Sequence, residues 1–169
     1  MSRYNEGMKD GIDEILDQWQ HEAPALDVSP LAVVGRVLQL AQLLERHREA
    51  VLADFNLTLW SFDMLATLRR QGSPYQLKPT ALYKYLMLSS GAMTNRIDRL
   101  EKDGLVTRLR DPDDRRSVIV QLSEAGVAQI DAAMPVLFEQ ERQFLSGLSQ
   151  TETIALVESL RQLLATVQP

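Results

Sequence analysis

The sequence holds 169 residues, 45% of them hydrophobic, with no cysteine and a formal net charge of −5. That size fits one domain with a real core, or one domain with dimerisation extensions. Without cysteine there are no disulfides and no thiol redox sensing, and no apolar run reaches the ~18 residues a membrane span needs.

The start, MSRYNEGMKDGIDE, is acidic and lacks an apolar stretch. It does not read as a signal peptide, and a cytoplasmic location is the expectation. Residues 8–19 place Met8, Ile12, Ile15, Leu16 and Trp19 on one helical stripe. That stripe must be buried, either on the chain's own domain or on a second subunit. His21–Val28, with Pro24, reads as a linker. Ser29 then suits a helix cap and Pro30 the first helical position. The predicted helix runs to about Asp54 through Leu31, Val34, Leu38, Ala41, Leu44 and Val51, with Arg46-His47-Arg48 facing solvent.

Thr58 caps a third predicted helix, Leu59–Arg70. It is apolar almost all round, so it should be buried on several sides. Gln71–Leu77, with Gly72 and Pro74, reads as a loop. Lys78-Pro79-Thr80 starts a short fourth helix to about Leu86, and Met87-Leu88 is a turn.

Ser89 and Ser90 suit the cap of the next helix, in which Met93, Ile97 and Leu100 form one stripe. Gly104 stops it. The period then becomes two, with Val106, Arg108 and Arg110 on a first strand and Val118, Val120 and Leu122 on a returning one. Between them Asp111-Pro112-Asp113-Asp114-Arg115-Arg116 reads as a polar turn that cannot be core. Ser123 caps a long helix to about Ser146, with a bend expected at Pro135. Ser149-Gln150-Thr151-Glu152 is a capping box. It opens a last helix carrying Ile154, Leu156, Val157, Leu160, Leu163 and Leu164.

A helix followed by a cationic β-hairpin is the layout of a winged helix. Charge agrees with it. From Lys78 to Arg116 there are nine Lys/Arg and six Asp/Glu, so the segment carries +3 and the remainder −8. A basic face on an acidic body suits phosphates, which respond to local charge; a solvated surface of mixed charge would look similar.

The segment GLVTRLRDPDDRRSVIVQLSEAG, with SSGAMTNRIDRLEKD before it, resembles the MarR family of bacterial transcription regulators. The resemblance extends from about Ser29 to the C-terminus. It implies a mainly α fold with a small β-wing: a winged helix-turn-helix domain plus N- and C-terminal dimerisation helices. Residues 1–28 would be an extension helix and linker, and residues 29–169 the MarR-type region, with a DNA-binding core at about 58–122. It also implies a homodimer that binds double-stranded DNA, and a ligand-responsive repressor. A winged helix that binds another protein is the alternative. Such a module has no need of cations at the wing tip.

For the DNA face, the side opposite the apolar stripe carries Gly91, Thr94, Asn95, Asp98, Arg99 and Lys102. Ser90, Thr94 and Asn95 are expected at base edges or phosphates, and Arg99 and Lys102 at phosphates. Thr80 and Lys84 on the preceding helix should touch the DNA backbone. Arg115 suits a narrow minor groove. Arg108 and Arg110 would contact phosphates or brace the wing. Arg116 would pair with Asp111 or Asp114, the wing Asp–Arg pair that the family resemblance implies.

Asp63 lies between Phe62 and Met64 in the most apolar helix. A buried carboxylate needs a partner, and Arg96, beside the apolar stripe of its own helix, is the candidate. Urate-responsive MarR members carry an N-terminal helix with a tryptophan, an aspartate in the third helix and an arginine in the recognition helix. Trp19, Asp63 and Arg96 resemble that set, whereas Gln71 stands near where those members have an asparagine. A small aromatic anionic effector near Trp19, Trp60, Asp63 and Arg96 is therefore expected, competing with a purely structural ion pair. No metal or cofactor is expected. The two histidines, His21 and His47, lack metal-site spacing, and no catalytic or phosphate-loop motif occurs, so an enzyme is not expected.

Overall fold

The computed structural model describes residues 9–86, 90–112, 114 and 117–167. The chain divides into two compact units, residues 1–50 and 51–169. No described helix is long and apolar enough to cross a membrane.

The first unit holds α1 (Gly11–Glu22) and most of α2 (Leu31–Ala53). Asp10 caps α1. Its carboxylate accepts from the Ile12 and Asp13 N–H groups, and the Asp13 carboxylate accepts from the Asp10 N–H in return. The helix outlasts the predicted stripe and takes in His21 and Glu22, so the linker is shorter than expected. It ends with Ala23 as cap, immediately before Pro24, because the residue before a proline is pushed out of the helical region. Of the two dockings left open for α1, its first turn docks on α2 of the same chain. Ile12 is buried, and a Cβ on Gly35 would lie 3.0 Å from Ile12 Cδ1. The Arg36 guanidinium donates to Asp10 at 2.8 and 3.0 Å and pairs with Asp13 at 2.7 Å. Farther along the stripe Leu16 is half-buried, while Ile15 and Trp19 stay open, 40% and 47% exposed.

The second unit contains α3 (Leu59–Arg69), β1 (Gln76–Leu77), α4 (Pro79–Leu86), α5 (Ser90–Lys102), β2 (Val106–Arg110), β3 (Val118–Leu122), α6 (Glu124–Phe144) and α7 (Gln150–Val167). Thr58 and Ser61 form a reciprocal cap at the start of α3. Phe62, Met64, Leu65 and Leu68 carry that helix into one core with Leu82, Met93, Ile97, Leu100, Val106, Val120, Ile130 and Leu137. The Arg69 guanidinium donates to both Asp131 oxygens, at 2.7 and 3.1 Å, and ties α3 to α6.

Two expectations are corrected. Gln76 and Leu77 are not loop but a strand, antiparallel to β3, giving the sheet order β1-β3-β2. The strand is only two residues long, too short for any period to register. Asp111 belongs to the turn expected to lie wholly outside the core, yet it is 3% exposed. Its carboxylate Oδ2 lies 2.5 Å from Lys78 Nζ, so the charge is buried with a cation beside it, as burial requires. The wing register otherwise follows the predicted alternation, from Val106 opposite Leu122 to Arg110 opposite Val118.

The stretch Leu122-Ser123-Glu124-Ala125-Gly126 closes the wing onto α6. The Ser123 hydroxyl accepts from the Gly126 N–H at 3.0 Å and donates to the Gly104 carbonyl at 2.6 Å. The Ser123 N–H donates to the Leu105 carbonyl at 3.0 Å. Gly104 has φ +74°, where a side chain is strained. At Gly126 the constraint is space, since a Cβ there would lie 2.0 Å from the Leu105 carbonyl oxygen. Pro135 falls inside α6. Ser149 and Glu152 cap α7 reciprocally, and α7 buries no residue.

Candidate nucleic-acid interface

The sequence of α5 separates its two sides. Met93, Ile97 and Leu100 are buried against the core, and Gly91, Thr94, Asn95, Asp98, Arg99 and Lys102 are exposed. α4 packs against α5 and buries Leu82, while Thr80 and Lys84 stay exposed. The backbone of α5 begins at Ser90, whose side chain lies outside the described residues, as do Ser89, Arg115 and Arg116. The expected pairing of Arg116 and the minor-groove reach of Arg115 therefore fall outside the description. Arg110 is exposed at the end of β2.

Among the described residues, Arg108 is the exception to the exposure of the predicted cations. It is half-buried, and its guanidinium donates to Glu101 at 2.5 Å and to Asp98. Burial pulls the Arg108 guanidinium down, but the Asp98 and Glu101 carboxylates outweigh that and hold it above its ordinary value. Its charge is thus committed within the protein.

Arg96 does not meet Asp63. It lies instead over the face of Trp60, 5.5 Å from the ring centroid, and Arg99 approaches the same ring at 5.8 Å. Trp60 stands in the first turn of α3, so one aromatic ring draws two cations of α5. Each such contact is worth about 0.5–1 kcal/mol at a partly exposed site. Asp63 is half-buried rather than enclosed, and it has a partner. Its helix turns it partly outward, a direction that counting apolar neighbours along the chain does not reveal. Gln71 donates its side-chain amide to the Thr67 carbonyl at 3.1 Å. Trp19 lies in the first unit.

Sequence reasoning passed over two sets of partners. Lys78 and Asp111 join the start of α4 to the wing base, and Asp98 and Glu101 receive Arg108. The only sequence signal for the last set was acids on a helix with an arginine on the next strand, a pattern too common to be read alone.

Residues 57–118 match the family model described as the MarR family. The chain is 38% identical over 168 residues to the HTH-type transcriptional regulator PecS of Dickeya dadantii, covering 99% of this chain and 96% of that one. Among solved structures, a mutant MarR from E. coli complexed with operator DNA is similar with a TM-score of 0.68 and 27% identity, over 89% of this chain and 98% of that one. AbsC, a MarR family transcriptional regulator from Streptomyces coelicolor, shares the fold with a TM-score of 0.76 at 22% identity, over 84% and 96% of the two chains.

Proposed function

The chain belongs to the MarR family of transcriptional regulators, a DNA-binding and not an enzymatic family, and from that premise we propose that it is a homodimeric, ligand-responsive repressor acting in the cytoplasm on a pseudo-palindromic operator. The observation that carries the DNA reading is the split surface of α5. Its apolar stripe is buried while Thr94, Asn95, Arg99 and Lys102 remain exposed beside Thr80 and Lys84 of α4. Short polar side chains on such a helix reach base edges, and the cations reach phosphates.

Homodimerisation is supported by surface that one chain leaves open. Ile154, Leu156, Val157, Leu160, Leu163 and Leu164 of α7 are each 39–60% exposed, and apolar side chains gathered on one exposed helix mark an association surface. A two-fold dimer places two reading helices on half-sites about one helical turn apart.

The effector reading rests on Arg96 and Trp60. A planar aromatic anion would take the Arg96 donor fork and compete with the Trp60 face for it. Asp63 stands three residues along α3 from Trp60. The share of Trp19 in this site rests on the family resemblance alone.

The test is selection of bound duplexes from a random library by the purified full chain, followed by sedimentation at micromolar concentration. A two-fold symmetric consensus and a dimeric mass are expected. Absence of any enriched sequence, or a monomeric mass, would overturn the reading.

A further inference from the structure

Two carboxylates stand on the solvent side of α5, where DNA phosphates would repel them. The side chains of Asp98 and Glu101 are 54% and 39% exposed. Both are bound by Arg108, the third residue of β2. The Arg108 side chain donates one N–H to Glu101 Oε2 at 2.5 Å and another to Asp98 Oδ1. The backbone N–H of Arg108 also donates, to Glu101 Oε1 at 3.1 Å.

The backbone bond decides what the cluster does. β2 is an edge strand, since the sheet order is β1-β3-β2. An edge leaves alternate N–H groups without a ladder partner. At Arg108 the outward N–H is taken by a carboxylate of α5. Glu101 therefore grips the strand itself, and the guanidinium fork, with one arm on Glu101 and the other on Asp98, adds direction that a flexible single contact lacks.

We propose that Asp98, Glu101 and Arg108 form a strut that locks the wing to the recognition helix, so that the two DNA-reading elements meet the duplex as one rigid piece. Asp98 and Glu101 are then positioning residues for DNA reading, and Arg108 acts within the protein rather than on a phosphate. The inference rests on the DNA-binding reading above. A reader held rigid before binding loses less freedom on binding, and its helix and wing must fit their grooves together. A wrong site that suits one element alone is thereby rejected.

The test is the nearly isosteric double variant Asp98→Asn/Glu101→Gln in the full chain. Simple electrostatics predicts that removing two negative charges from this face tightens binding to every duplex. The strut predicts a different pattern. Binding to a scrambled duplex holds or tightens, while preference for the duplex selected by the wild type falls roughly three- to thirtyfold. Amide exchange of β2, read by hydrogen–deuterium exchange on the free protein, becomes faster. Arg108→Lys, which keeps the charge and loses the fork, should move both readouts the same way. Unchanged exchange in β2, or an unchanged preference ratio, would overturn the strut. If the wild type itself prefers no duplex, the DNA reading fails, and the exchange measurement still decides the strut.

Discussion

Gly126→Ala tests how tightly the wing is closed onto α6. The added Cβ would lie 2.0 Å from the Leu105 carbonyl oxygen and 3.0 Å from its carbon. Neither atom can swing aside. The same oxygen accepts from the Ser123 N–H, and the Leu105 N–H is tied to the Leu100 carbonyl at 2.9 Å. Relief requires the first turn of α6 to move away, which stretches the two bonds of Ser123 to Leu105 and Gly104. Two such bonds contribute about 2 kcal/mol together. Forcing a methyl into packed surroundings costs about 1–3 kcal/mol more. Alanine returns about 1 kcal/mol because glycine is the poorer helix former. The net loss is about 2–4 kcal/mol, or roughly 5–15 °C in Tm for a chain of this size. The assay is thermal unfolding followed by circular dichroism at one fixed protein concentration, with Gly91→Ala as control. Gly91 is also helical, but a Cβ there meets nothing within 4 Å, so that variant should be neutral or slightly more stable. If Gly126→Ala matches the control, the close approach does not limit this site.

The clamp of Arg36 on α1 predicts a pH dependence. Arg36 first, and the Asp10 backbone second, hold the Asp13 carboxyl below its ordinary value of 3.8. A depressed carboxyl contributes stability above that value and loses it as pH falls through its folded one. Amide protection of α1 should therefore weaken below about pH 4 in the wild type, and Arg36→Ala should already be weak at neutral pH; equal protection in both proteins at pH 7 would refute the clamp. Arg115→Ala should lower the slope of log K against log salt by about 0.9, the loss of one cation from the groove, while Asn95→Ala should change the preference between sites. A full wild-type slope without Arg115 would remove that residue from the DNA face. Urate, xanthine or salicylate should quench tryptophan fluorescence and weaken operator binding about 5- to 150-fold in the wild type, and a response that persists in Arg96→Ala would exclude the Arg96 site.

The recognition helix and wing were legible because each carries a local signal dense enough to stand alone. The stripe Met93/Ile97/Leu100 spaces at helical period, Gly104 marks a left-handed stop, and the strands alternate at period two on both sides of a polar turn. β1 was not legible because two residues have no period, and only pairing with β3 makes them a strand. Asp111 was misread for the same reason. Its neighbours in sequence are polar, but its cation, Lys78, comes from the start of α4. Arg96 was assigned to Asp63 because a carboxylate in the most apolar helix was expected to need a cation, whereas direction in space gave it the ring of Trp60. The close approach at Gly126 leaves its trace in the sequence only as a missing side chain. The cap at Asp10 was open to reading, since Asp10 and Asp13 are spaced as a reciprocal cap, but the apolar stripe drew the predicted start upstream.

α7 has a consequence for how much of the chain is folded at low abundance. Its eighteen residues bury none of their number within the chain, so it lacks the tertiary packing that supplies most of a helix's stability. Where the proposed homodimer covers α7, dilution below its association threshold would dissolve structure as well as separate partners. Newly made chains would carry a frayed, apolar C-terminal segment until enough copies had accumulated. Proteolytic clearance would fall on just those solitary chains, so the cell's supply of the protein would sharpen into a threshold rather than rise in proportion to synthesis.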